Sequence, residues 1–309
     1  MNIAFRIDVS GRIGMGHYIR MSALADAFKE MYCCCTFYTG EDEPINYTSF
    51  DIVIIDTYQV DDSYIANIRN PKRLLVCYDD NALYTYCCDV LLNANLHADQ
   101  LDFMFHGKPP KLLLGAQYAL LRREFWEEES ILINDVANNV FICFGGSDVR
   151  NFTPFAVKAL QQLPNINLTV VLGDYTECDD AVIALESANV NVLKTPSSIA
   201  DVMKSCDIAV VSAGSMVYEL AALGIPSIII TQADNQYKIA HFLESASLMK
   251  WLGDWDAISP ESLHVEVENL RNNFVRRKDE SDRLSNAVNR KGALNTARAI
   301  LEVANEAIR

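Results

Sequence analysis

Short β-branched runs alternate with amphipathic stretches along the first part of the chain. The runs lie at residues 3–9, 33–38, 52–56, 73–78 and 89–93, and helical periodicity appears at residues 17–31 and 61–69. This βαβ rhythm predicts a mostly parallel sheet covered by helices on both faces. Residues 112–121 read as an extended exit and residues 122–133 as a charged helix or connector. A first Rossmann-like domain is therefore expected over residues 1–133.

The rhythm then restarts. Apolar runs at 140–144, 168–172, 207–212 and 226–231 alternate with helical stretches at 152–160, 199–204, 215–223 and 235–244, and residues 260–309 look largely helical. A second unit of the same kind is expected over residues 134–309. Two open α/β units imply a cleft between them, with ligands held at the carboxyl ends of the strands. The predicted fold class is thus α/β, as two Rossmann-like domains.

Composition narrows the function. The 309 residues are half apolar and 22% charged, as in a globular protein, and the net charge of -15 disfavours a nucleic-acid partner. The six basic residues of 271–290 are interrupted by acidic residues and asparagines and read as a solvated helix face. No apolar run reaches spanning length and no leader pattern opens the chain, so a cytoplasmic location without stable membrane association is expected. Nine cysteines, with Cys33, Cys34 and Cys35 adjacent and no C-x-x-C spacing, suit reduced thiols better than disulfides or zinc.

The first strand runs into a helix through Gly11, Gly14 and Gly16, with His17 at the helix start. Glycines there let a ligand approach the main chain, and the opening N–H groups of the helix favour an anion. His17 reads either as a reactive group in this cradle or as a residue that only caps or packs. The glycines do not keep the G-x-G-x-x-G dinucleotide spacing, and no acidic residue stands out in the next strand, so a nicotinamide cofactor is not indicated.

A second cluster follows later strands. Gly145-Gly146-Ser147 precedes one helix, and Ser212-Ala213-Gly214-Ser215 opens another that contains Glu219. Backbone donors at both turns could hold a diphosphate, and the Glu219 carboxylate could accept the two hydroxyls of a ribose. Asn235 and Gln236, at the next strand-to-helix turn, supply amides for polar ligand groups. The plainer reading makes Ser212 a helix cap and Glu219 a partner of the helix dipole. Neither a P-loop nor H-E-x-x-H nor paired CxxC ligands are present, and no metal is indicated.

The pattern R-x-D-x-S-x-x-I-G-x-G-H-x-x-R from Arg6 to Arg20, with Tyr78-Asp79-Asp80, Leu91-Leu92-Asn93-Ala94-Asn95, Gly145-Gly146-Ser147-Asp148 and residues 212–219, resembles the nucleotide-sugar hydrolases of pseudaminic acid biosynthesis. These release a diacetamido-trideoxy-altropyranose from its UDP conjugate. The wider resemblance is to the GT-B glycosyltransferases that build the peptidoglycan lipid precursor, with two facing Rossmann-like domains. It implies that His17 is the catalytic base, that UDP lies on Gly145, Gly146, Gly214, Ser215 and Glu219, and that the first domain holds the sugar. It implies no cofactor and no metal.

Gly14, Gly16, Tyr78, Asp79, Ser147, Asn151, Ser212, Asn235 and Gln236 complete the expected substrate-binding set. Asp8, at the end of the first strand, is expected to orient His17 or the sugar. The expected partners are the UDP-sugar and UDP alone, bound by a monomer. The alternative is a GT-B glycosyltransferase that moves the sugar to an alcohol or lipid, although the acidic segment Gly40-Glu41-Asp42-Glu43-Pro44 disfavours an anionic membrane surface. A noncatalytic sugar-nucleotide binder would use His17 only as a contact.

Overall fold

The computed structural model describes residues 1–8, 15–58, 61–82 and 85–307. Two compact units form, one of Met1–Trp126 with Asn289–Arg309 and one of Glu127–Val288. The division falls between 126 and 127 where the sequence suggested 133 and 134, and the end of the chain returns to the first unit.

In the first unit the elements are β1 (Asn2–Ile7), α1 (Gly16–Glu30), β2 (Cys34–Tyr38), β3 (Ile52–Asp56), α2 (Asp62–Ile68), β4 (Leu74–Tyr78), β5 (Thr85–Tyr86), β6 (Val90–Asn93), β7 (Met104–Phe105) and β8 (Lys111–Leu114). The sheet order is β2-β1-β3-β4-β6-β8, with β5 and β7 forming a small separate ladder. Every pairing in the larger sheet is parallel. Strands β3, β4 and β6 are buried along their whole length because both sheet faces are covered, which is why they read as unbroken apolar runs. The expected extended exit supplies β8 as an edge strand, and the expected charged helix contains only a 3-10 turn at Arg123–Phe125.

The second unit contains β9 (Asn139–Cys143), α3 (Thr153–Leu160), β10 (Asn167–Leu172), α4 (Asp179–Ile183), β11 (Val190–Lys194), α5 (Ile199–Lys204), β12 (Ile208–Ser212), α6 (Met216–Leu223), β13 (Ser227–Thr231), α7 (Tyr237–Ser245), β14 (Lys250–Asp254), α8 (Pro260–Asn272) and α9 (Phe274–Ala287). Its strands pair in the order β11-β10-β9-β12-β13-β14, the doubly wound arrangement of dinucleotide-binding sheets. Ser259 caps α8 and Pro260 occupies its first turn, so this helix starts where its sequence directs.

The last helix, α10 (Gly292–Ala307), places Ala293, Ala297, Ile300 and Ala304 in one core with Met21, Leu24 and Phe28 of α1. These positions recur at helical spacing and give α10 an apolar stripe that only burial satisfies. All nine cysteines are free thiols. Burial pushes the Cys35 thiol up to about 12. Among the described residues no helix is long and apolar enough to cross a membrane.

The basic stretch 271–290 departs in part from its expected role as a solvated face: Lys278 and Arg283 are exposed, but two of its arginines are not. Arg271 and Arg277 are buried. Arg277 donates to the carbonyls of Leu270, Arg271, Asn134 and Asp135, while Arg271 reaches those of Ala137, Pro164 and Asn165. The planar guanidinium groups give donors to carbonyls at the end of α8, in the segment entering β9 and in the turn before β10, adding to the backbone bonds that Leu270 and Arg271 already accept. Replacing Arg277 by methionine leaves those carbonyls without these donors, and a loss of about 3–5 kcal/mol is expected, read by urea unfolding.

Candidate active site

In the first sheet the strand order reverses between β1 and β3, and ligands of open α/β sheets bind outside the carboxyl ends of strands at such a point. Ile7 pairs with Asp56 there, and Asp8 follows one residue beyond. His17, on the first turn of α1, is buried and turns its ring to Asp56, with Nδ1 2.7 Å from Oδ1. Arg20, one turn further along α1, donates from Nε to Asp56 Oδ2 at 2.6 Å and from a terminal nitrogen to Oδ1. Its other terminal nitrogen donates to Asp80 at 3.2 Å, and the guanidinium lies 4.2 Å over the Tyr78 ring. Tyr58 packs edge-on against His17 and donates its hydroxyl to Asp80 at 2.7 Å.

Charge explains this arrangement. Burial alone would raise the Asp56 carboxyl, but Arg20 and His17 outweigh it and hold the group below the ordinary carboxylate range. Burial opposes the charge on Arg20 too, yet Asp56 and the neighbouring acidic groups lift it well above its ordinary value. Burial and Asp80 push the Tyr58 hydroxyl up, so it remains a donor. An ionised Asp56 only accepts, and the proton of His17 therefore sits on Nδ1, facing it. One terminal nitrogen of Arg20 also lies 2.9 Å from Nδ1, where it adds positive charge and no hydrogen bond, since that ring nitrogen already carries its proton. Nε2 is the ring nitrogen left to take a proton.

Asp8 does not make the contact foreseen with His17. It accepts from Thr57 Oγ1 and from the Tyr58 amide at 2.8 Å, and pairs with Arg6 at 3.2 Å, so its oxygens brace the turn after β3. Asp56 takes that place because it ends the neighbouring strand directly below α1. Asp79 accepts from the Tyr86 hydroxyl and the Asn81 amide, and Asp80 is the member of Tyr78-Asp79-Asp80 that joins the cluster. Gly16 opens α1. Gly14 lies outside the described residues.

The second sheet reverses between β9 and β12, where the two expected turns meet. Gly145 takes φ +88°, a left-handed conformation that favours glycine, and a Cβ built there would lie 3.7 Å from Ser212 Oγ. A Cβ on Gly214 would lie 3.9 Å from the same oxygen, so the Ser212 hydroxyl stands between two stretches of bare backbone. Ser147 is half-buried and Ser215 exposed, at the head of α6, while Glu219 is buried in the first turn of that helix.

Asp148 accepts the amides of Phe152 and Thr153 and the side chain of Gln232, fixing the loop that carries Gly145 and Gly146. Asn151 lies on that loop at φ +49°. Gln236 is turned back onto the Gln232 amide at 2.8 Å, while Asn235 is exposed. Sequence reading passed over Arg150, whose Nε donates to the Gln232 carbonyl at 3.1 Å and whose guanidinium lies 5.1 Å over the Trp255 ring. It also passed over Gly173, whose absent side chain leaves room for Gly146: a Cβ there would come within 2.4 Å of the Gly146 main chain.

Residues 139–295, from β9 into α10, match the glycosyltransferase family 28 C-terminal domain. The chain belongs to this family. The match contains both glycine turns of the second unit and Glu219. Among solved structures, MurG of Acinetobacter baumannii superposes with a TM-score of 0.67 at 15% identity, covering 98% of this chain and 100% of that one. The fold is that of the GT-B glycosyltransferases.

In sequence, the chain is 27% identical to the UDP-2,4-diacetamido-2,4,6-trideoxy-beta-L-altropyranose hydrolase of Campylobacter jejuni, over 79% of this chain and 96% of that protein. It is equally 27% identical to an uncharacterized protein of Methanocaldococcus jannaschii over 76% of its own length, and spans 57% of that longer relative.

Proposed function

We propose that the protein is an enzyme of UDP-sugar chemistry, and that it is a metal-independent, inverting hydrolase releasing UDP from UDP-2,4-diacetamido-2,4,6-trideoxy-beta-L-altropyranose. The observation that carries the chemistry is the buried contact between His17 Nδ1 and Asp56, which orients the imidazole and leaves Nε2 to act as a base. The substrate rests on the likeness to the Campylobacter hydrolase.

In this reading the two glycine turns, Ser212 and Ser215 hold the diphosphate through backbone and hydroxyl donors, and Glu219 accepts the ribose hydroxyls. Arg150 adds a cation beside the loop. Water attacks the anomeric carbon opposite the diphosphate while His17 Nε2 takes a proton from it. The bond from that carbon to the diphosphate oxygen breaks, its electron pair leaves with UDP, and the donors of the second unit stabilise the charge. His17 then returns its proton to solvent. Attack from the opposite face inverts the anomeric centre.

Glu219→Ala is expected to weaken UDP binding about 10- to 100-fold in calorimetry, the worth of a charge-assisted pair of hydrogen bonds. Unchanged affinity would remove Glu219 from the ribose site. The likeness of the fold to MurG favours one other reading, a transferase in which the same base activates an acceptor hydroxyl. Release of UDP in chelator-treated buffer with no acceptor present separates the two: a hydrolase turns over, and a transferase does not.

A further inference from the structure

The His17 cluster holds an unequal number of charges. Among the described residues the cluster holds two carboxylates, Asp56 and Asp80, and a single guanidinium, Arg20, which bonds to both. The phenols that complete the wall, Tyr58 and Tyr78, stay neutral. Behind Tyr58, Asp8 is engaged by Thr57, the Tyr58 amide and Arg6, and Arg6 also pairs with Glu43 at 3.1 Å. Asp79 faces Tyr86 and Asn81. While His17 is neutral, then, the four groups His17, Asp56, Arg20 and Asp80 together carry one net negative charge, and a proton arriving on Nε2 brings the four to balance.

We propose that Asp80 is a positioning residue that sets the basicity of His17 through Arg20. Asp56 and Arg20 alone form a neutral pair, which orients the imidazole but offers little to the imidazolium created when water is deprotonated. Asp80 draws on the same guanidinium from its far side and is itself held by the Tyr58 hydroxyl at 2.7 Å. That contact ties down the carboxylate without neutralising it. Asp80 is half-buried, but His17 and Asp56 on the near side of the guanidinium are buried, so its charge is screened less than one at the surface and acts on the reacting proton across the intervening guanidinium. The inference rests on the reading of His17 as the base.

The test is an NMR titration of the His17 imidazole in the full chain, its signal assigned by loss in His17→Asn, together with the pH profile of kcat/KM for UDP release. In Asp80→Asn the titration midpoint is expected to fall by about one pH unit, the acid limb of the profile to move down with it, and kcat to fall about tenfold. Tyr58→Phe keeps the charge and should leave both midpoints in place. Asp80→Ser serves as a second charge-removing variant should the asparagine disturb folding.

If His17 titrates in both Asp80 variants where it does in the wild type, the proposal is overturned, whatever happens to kcat. The same holds if Tyr58→Phe moves the midpoint as far as Asp80→Asn does. A midpoint that falls as expected in a protein that releases no UDP upholds the charge coupling and refutes the hydrolase reading instead.

Discussion

His17→Asn is expected to lower turnover of the UDP-sugar by about 10²- to 10⁴-fold, the usual worth of a positioned general base, with UDP affinity nearly unchanged. Asparagine can still accept or donate at the position of Nδ1, so the contact with Asp56 survives in part, but nothing replaces Nε2. The UDP-binding residues proposed here all lie in the other unit, which the substitution leaves untouched. Steady-state kinetics with calorimetry of UDP separates the cases. Loss of both turnover and UDP binding would make His17 a structural residue.

The second large effect is expected far from the base. Gly173 follows β10, and the main chain of Gly146 runs so close that an added Cβ would stand 2.4 Å from it. Backbone cannot swing aside as the end of a side chain can. Gly173→Ala must therefore displace the turn that carries Gly145 and Gly146, at a cost of about 1–3 kcal/mol in stability. A displaced turn misdirects the donors proposed for the diphosphate. UDP affinity should fall at least about tenfold, a drop in binding free energy of roughly 1.4 kcal/mol. A variant that binds UDP normally would show that this turn does not carry the diphosphate.

The parts of this molecule that were legible in the sequence are those fixed by local pattern. The unbroken apolar runs of β3, β12 and β13 announce strands buried on both faces, and the glycines after β9 and β12 announce the turns of the second unit. What stayed hidden depends on contacts across long sequence separations. Asp56 reads as the plain end of an apolar strand, and only the pairing of β1 with β3 sets it beside His17. Asp8 stands one residue beyond Ile7, the partner of Asp56, and nothing local shows which of the two carboxylates reaches His17.

Arg271 and Arg277 look like members of a solvated basic stretch because most of the carbonyls they serve lie far away in sequence; Asn134 and Asp135 precede Arg277 by 143 and 142 residues. The return of α10 to the first unit is legible only as an apolar stripe at helical spacing, whose destination is a matter of tertiary packing. Gly173 gave no sign at all, since a glycine kept for close approach has no pattern of its own.

The most direct measurement is a time-resolved NMR experiment on the chelator-treated protein with UDP-2,4-diacetamido-2,4,6-trideoxy-beta-L-altropyranose, following the anomeric proton of the sugar and the UDP signals together. Free sugar of inverted configuration and UDP are expected to appear at equal rates from the first spectra, before mutarotation, with both slowed about 10²- to 10⁴-fold in His17→Asn. Free sugar with retained configuration, or no UDP release from a protein that still binds UDP, would contradict the proposed function.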